Sequence, residues 1–321
     1  MAITFGTYGS LPTITLENEQ VKAVILPTKG AELLEFVHLK TNTNILYRTE
    51  LPIEAYDDLD LSKQRLSFHS EKLLGGYMNL LPHRGLYKEQ VLEQHEGGIS
   101  ATLPWEYDIL EDTPIQIKIK FHVRLPIFPL YLERIYTLKT DESFLNIDDH
   151  VKNIGEEEVK FTWTQHALFG SGILDENAKI ELPSQMAFKA WEHAEQPSKS
   201  IETFIQNSKH IELKQGTFDL SRPLATGYPD YEFVVFKDLK KGKFEIKSPV
   251  LGSNFFFRWD LKQFPYLRAV YKHDGHGPLV GLEPSDDLFS GWEHSYKYKT
   301  YTTLQSQASI VTDFQFGFIE K

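Results

Sequence analysis

Residues 115–123 read Ile-Gln-Ile-Lys-Ile-Lys-Phe-His-Val. Ile115, Ile117, Ile119, Phe121 and Val123 fall on one parity, and Gln116, Lys118, Lys120 and His122 on the other. A period of two with one apolar and one polar face is what a half-buried antiparallel strand requires. A helix, turning every 3.6 residues, would scatter the isoleucines around its circumference. Runs of similar character recur outward from this stretch, at 21–26, 131–138, 144–151, 159–164, 233–236, 254–259, 267–271 and 301–311. Turn-forming residues separate them at 40–44, 153–156, 240–243 and 274–278. Many short strands at this spacing predict an all-β sandwich or barrel. Residues 52–72 and 192–208 could each hold one short helix or lie over a sheet as a loop. No composition break marks a linker, so residues 1–321 are expected to form a single domain.

Composition narrows the function classes. Hydrophobic residues make up 41% of the chain and charged residues 25%, a globular balance. Phe 22, Tyr 15 and Trp 5 supply strand-forming rings that also make flat walls for sugars. The absence of cysteine excludes disulfides, thiolate metal sites and a cysteine nucleophile. A net charge of -11 argues against a general nucleic-acid binder. The basic cluster Lys-Asp-Leu-Lys-Lys-Gly-Lys at 237–243 reads as a solvated hairpin turn. The opening 20 residues combine neither a basic region nor an apolar run, and no stretch reaches the length of a membrane span. The expectation is a cytoplasmic protein without a secretory leader or membrane partner. No glycine-rich phosphate loop follows a strand.

Three stretches place ionisable groups beside aromatic or turn residues: Gln94-His95-Glu96-Gly97-Gly98 with Trp105 downstream, Thr162-Trp163-Thr164-Gln165-His166-Ala167-Leu168-Phe169, and Leu282-Glu283-Pro284-Ser285-Asp286-Asp287 with Trp292 beyond. His95, beside a glycine pair, reads either as a pocket-rim residue or as an exposed turn histidine. His83 carries the same two readings, and Arg84 beside it could bind a sugar hydroxyl or solvent. His166 ends a strand-like run before apolar residues, where burial makes its protonation sensitive to partners. Glu283 follows an apolar run, and Pro284 is expected to stop regular pairing, so that Glu283 points from a strand end into a cleft. Asp286 and Asp287 read as a turn pair that is solvated or caps the backbone, with Asp286 also a candidate substrate contact. Trp105, Trp163, Phe169 and Trp292 are ring-stacking candidates or core. His-x-His, His-x-x-x-His and His-Glu-x-x-His spacings are absent from these stretches, while a calcium site built from oxygens stays open.

Taken together, the stretches resemble the aldose 1-epimerase, or galactose mutarotase-like, superfamily. Residues 24–33 through Ile45-Leu46-Tyr47 resemble its opening hairpin with a Gly30-Ala31 turn. Gly75-Gly76 with Asn79-Leu80-Leu81-Pro82 resembles its glycine-rich segment. His95 with Trp105, His166 with Phe169, and Glu283-Pro284 resemble its first histidine, second histidine and basic carboxylate. The arginine that precedes the first histidine in the family has no clear counterpart: Arg65, Lys72 and Arg84 each match imperfectly. Glu96 follows His95 where glycine is more familiar, and His166 lacks the family's Asn-Phe surroundings.

The resemblance implies a β-supersandwich of stacked, twisted antiparallel sheets with an open sugar-binding cleft. It implies interconversion of the α and β anomers of an aldose, without cofactor or metal. Glu283 would act as base, His166 as acid and His95 as a hydrogen-bond donor near the ring oxygen. His83, Arg84, Trp105, Asp286 and Trp292 would contact a small-molecule sugar, expected to be a monosaccharide bound by a monomer or homodimer. Two rivals remain at this point: a non-catalytic carbohydrate-binding or sensory protein on the same fold, and a glycoside hydrolase or lyase using Glu283 with Asp286.

Overall fold

The computed structural model describes residues 1–49, 75–92, 98–126, 128–190, 195–196, 198–206, 210–213, 216–224, 232–273, 277–288 and 291–319. Within them the chain is built from antiparallel strands in a fourteen-stranded sheet, an eight-stranded sheet and a two-stranded ribbon. The stretch read first forms the strand Gln116–Arg124. Ile117, Ile119 and Phe121 are fully buried, whereas Ile115 precedes the strand and is 69% exposed. Most other runs became strands at nearly their expected limits, Val21–Leu26 and Asn254–Trp259 among them. The Gly30-Ala31 turn joins Val21–Leu26 to Glu32–His38 as an antiparallel hairpin. Gly30 there has φ 67°. A Cβ on it would lie 2.6 Å from the backbone of Ala101, so only glycine fits.

Three expectations are corrected. The run 301–311 is two strands, Thr302–Leu304 in the large sheet and Ser309–Ile319 in the smaller one. Gln307, at φ 58°, turns the chain between them. The basic stretch 237–243 is not a hairpin: Glu232–Lys237 belongs to the large sheet and Lys243–Lys247 to the smaller one, so it crosses between sheets. Pro284 does not stop the strand Pro278–Ser285, which stays paired with Tyr266–His273 through Ser285. On its other edge, the ladder to Val159–Phe169 pairs Ser285 with Thr164 and Leu282 with Ala167, leaving residues 283 and 284 unpaired. A proline has no N–H to give, so it is tolerated where the ladder lapses.

The main core lies between the two large sheets. Leu33, Phe36, Tyr77, Phe169 and Phe236 from one meet Phe121, Phe244, Phe255, Phe257 and Phe316 from the other. Tyr77 stacks on Phe316 at 5.2 Å, and Phe169 lies 5.1 Å from Phe255. Arg134 and Asp149 are also buried here. The guanidinium donates from Nε and Nη2 to the two carboxylate oxygens at 2.6 Å each, and from Nη2 to Gln165 Oε1 at 2.8 Å. Burial of this pair is tolerable because the charges satisfy each other. The opposite face of the fourteen-stranded sheet carries the candidate site.

Candidate active site

Four neighbouring strands of the large sheet build the site, in the order Tyr77–Tyr87, Val159–Phe169, Pro278–Ser285 and Tyr266–His273. Side chains alternate across a strand. Phe161, Trp163, Ala167 and Phe169 point into the main core, which sends Thr162, Thr164, His166 and Leu168 to the other face. Likewise Val280 and Leu282 enter the core, leaving Glu283 on the site face, and Leu267, Ala269 and Tyr271 leave Arg268 there. His166 and Glu283 fall in line with one another in the unpaired interval, and Glu283 is in register with Arg268. A row His166–Glu283–Arg268 therefore crosses three strands.

The row is buried: Glu283 is 2% exposed, and His166 and Arg268 7% each. His166 Nε2 lies 3.3 Å from Glu283 Oε1. Arg268 Nε lies 3.7 Å from Glu283 Oε2, an ion-pair separation longer than a hydrogen bond. Small apolar groups flank the row. Met78, Leu80 and Ala101 lie toward Tyr77–Tyr87, and Phe188, Phe233, Val235 and Leu288 toward the other side.

His83 and Arg84 join this cluster. Consecutive residues of a regular strand point oppositely, but the pairing register shifts between Thr162 and Thr164. His83 Nδ1 lies 3.3 Å from Arg268 Nη1 and 3.4 Å from Arg84 Nη1. A guanidinium only donates hydrogen bonds. Nδ1 must therefore accept, which assigns His83 the neutral tautomer with its proton on Nε2. Arg84 Nη1 also lies 3.9 Å from Asp287 Oδ2. Asp287 is anchored in turn by the hydroxyls of Ser295 and Thr300, which donate to its Oδ1 at 2.6 and 3.2 Å. Two guanidiniums thus face two carboxylates.

The other described candidates have different surroundings. Both oxygens of Asp286 accept bonds from the protein: Oδ1 from the Trp163 backbone N–H at 2.7 Å, Oδ2 from the Thr302 hydroxyl at 2.6 Å. Burial pushes its carboxyl well above the usual aspartate range, against the lowering effect of those two bonds. Asp286 ties the irregular part of one strand to another and has the environment of a structural group. Trp105 packs in the main core and its indole N–H donates to the Ser100 carbonyl at 2.9 Å. Trp163 and Phe169 are core residues too. Trp292 begins the short helix α1, Trp292–Tyr298, and packs against Tyr296 and Tyr301 at 5.8 and 5.4 Å. His95, with Arg65 and Lys72, lies outside the described residues.

Arg268 is the site residue that sequence reading did not single out. Its signal was present: an arginine on the same parity as Tyr266 and Val270 inside a strand-like run needs an anion if buried. Among the described residues, no group of three His, Asp or Glu is arranged to hold a metal. No described helix is long and apolar enough to cross a membrane. What the row offers chemically is a carboxyl group and an imidazole at the same point of one sheet face.

Neither a family model nor a curated protein matches the chain by sequence. Solved structures do match it by shape. A putative aldose 1-epimerase from Klebsiella pneumoniae aligns at a TM-score of 0.72 and 15% identity, over 97% of this chain and 80% of that one. A galactose mutarotase-like protein from Clostridium acetobutylicum aligns at 0.67 and 13%, over 100% and 99%. A TPR-domain containing protein from Parabacteroides distasonis aligns at 0.65 and 14%, over 97% of this chain; the chain spans 47% of its length. The fold is therefore that of the aldose 1-epimerase and galactose mutarotase-like proteins.

Proposed function

On this galactose mutarotase-like fold, we propose that the chain interconverts the α and β anomers of an aldose by acid–base catalysis. The observation that carries this is the buried, in-line approach of His166 Nε2 to Glu283 Oε1 at 3.3 Å. An anomer changes when its hemiacetal opens and recloses on the other face. Glu283 takes the proton from the anomeric hydroxyl, the C1–O5 bond breaks, and His166 gives a proton to O5. The open-chain aldehyde turns about C1–C2. The O5 hydroxyl then attacks the other face of C1, returning its proton to His166, while Glu283 returns a proton to O1.

Each role suits its group. A carboxylate accepts a proton directly, and an imidazolium donates near neutral pH. His83 is unsuited to the acid role because its Nδ1 faces two guanidiniums. His95 is assigned hydrogen bonding to the ring oxygen. Protons are only exchanged between sugar and side chains, so the scheme needs no nicotinamide and no metal. Among the described residues, Arg84 and Arg268 are balanced by Glu283 and Asp287, which favours a neutral sugar.

Polarimetry on freshly dissolved aldoses tests the assignment. Glu283→Gln and His166→Asn should each lower the enzymic rate by about 100-fold or more, the general acid–base contribution. Full activity in both variants contradicts it. Sugar binding by calorimetry with no rate acceleration in the unmodified protein would instead mark a carbohydrate-binding role.

A further inference from the structure

We propose that Arg268 is a positioning residue that aims the Glu283 carboxylate at His166, an inference that rests on the base role given to Glu283 above. Glu283 lies on the central strand of three, with His166 on one neighbour and Arg268 on the other. Its two oxygens divide between them, Oε1 toward His166 at 3.3 Å and Oε2 toward Arg268 at 3.7 Å. A carboxylate on a two-carbon stem has several rotamers, and a single partner at one oxygen leaves it free to swing. Opposed partners on both sides fix it.

Arg268 is equipped to act as the fixed end. Its guanidinium carbon lies 5.0 Å over the ring of Phe233, which supports it from the next strand. Its Nη1 donates to His83 Nδ1 at 3.3 Å. The planar guanidinium is thus held by a ring face, an imidazole acceptor and the carboxylate, three directions that a lysine ammonium could not satisfy together. Through His83 the hold extends to Arg84, and through Arg84 to Asp287, which the hydroxyls of Ser295 and Thr300 fasten. The base is therefore braced by a chain of contacts that reaches α1. Arg268 acts on turnover through Glu283, not by touching the sugar.

The test uses Arg268→Met and Arg268→Lys in the full chain, with mutarotation kinetics and a crystal structure of each variant. A misaimed base should lower kcat by about 10- to 100-fold, the cost of a displacement near 1 Å. KM should change by less than about twofold, because sugar contacts stay in place. Arg268→Lys, which keeps the charge, should recover part of kcat. In the Arg268→Met crystal, Glu283 should turn away from His166. A raised KM with kcat intact, or a Glu283–His166 contact unchanged in the Arg268→Met crystal, overturns the proposal. If methionine prevents folding, Phe233→Leu loosens the guanidinium without removing it, and the same loss of kcat and of the contact is expected. Absence of mutarotation in the unmodified protein would refute the catalytic reading alone, since the crystal comparison decides the positioning claim without any turnover.

Discussion

Glu283 and Asp286 are three residues apart and have opposite surroundings. Glu283 meets an imidazole and a guanidinium, whereas Asp286 meets a backbone N–H and a hydroxyl and is dominated by desolvation. The consequence for Asp286 is a pH dependence of stability. Its folded value is raised above the ordinary aspartate value of about 3.9. The folded state therefore holds that proton more tightly, and the contribution is fully present below about pH 4. It is lost as pH rises through the raised folded value. Asp286→Asn keeps an acceptor for the Trp163 N–H and removes the ionisation. Urea denaturation across a pH series should show the variant gaining on the unmodified protein as pH rises from about 4; a constant difference would contradict this. Sugar turnover should be little affected, because both Asp286 oxygens already serve the protein.

Strand parity does the work at the scale of elements. One face of Val159–Phe169 supplies the core and the other the site, so His166 and Gln165 are neighbours with unrelated partners. Gln165 completes the buried Arg134–Asp149 pair, its Oε1 also accepting from the Tyr77 hydroxyl at 2.6 Å. Breaking that pair from one side leaves a buried charge, so Arg134→Met should cost about 3–5 kcal/mol by chemical denaturation. The double variant Arg134→Met with Asp149→Leu should cost less than Arg134→Met alone; an equal or greater cost would contradict the explanation. Parity was also what made the fold legible. The alternation at 115–123 and the aromatic runs at 254–259 needed no tertiary information, because local sterics and one buried face fix such strands. His166 and Glu283 could be singled out as ionisable groups beside apolar runs. Their pairing could not, because it spans 117 residues of chain and depends on which strands become neighbours. Arg268 escaped for the same reason: its partners His83 and Glu283 are on other strands. The hairpin expected at 237–243 failed because turn chemistry shows that a chain reverses, not which sheet it enters next.

Across the whole molecule, two large sheets meet through aromatic rings on one side, and the wider sheet keeps its other face for the site. Phe316 sits at the centre of that packing, with Phe255, Tyr77, Phe36 and Phe257 at 4.7 to 5.3 Å. Phe316→Ala should cost about 3–5 kcal/mol of stability, the usual price of an aromatic-sized cavity. A cost below about 1 kcal/mol would mean that the sheets close over the gap. The site depends on this packing only through the backbone it holds in place, so its chemistry can be tested directly. A crystal structure of the Glu283→Gln protein with a bound aldose is the decisive measurement. The anomeric hydroxyl should lie within hydrogen-bond reach of residue 283 and the ring oxygen within reach of His166. A sugar bound at a distance from either side chain would contradict the account.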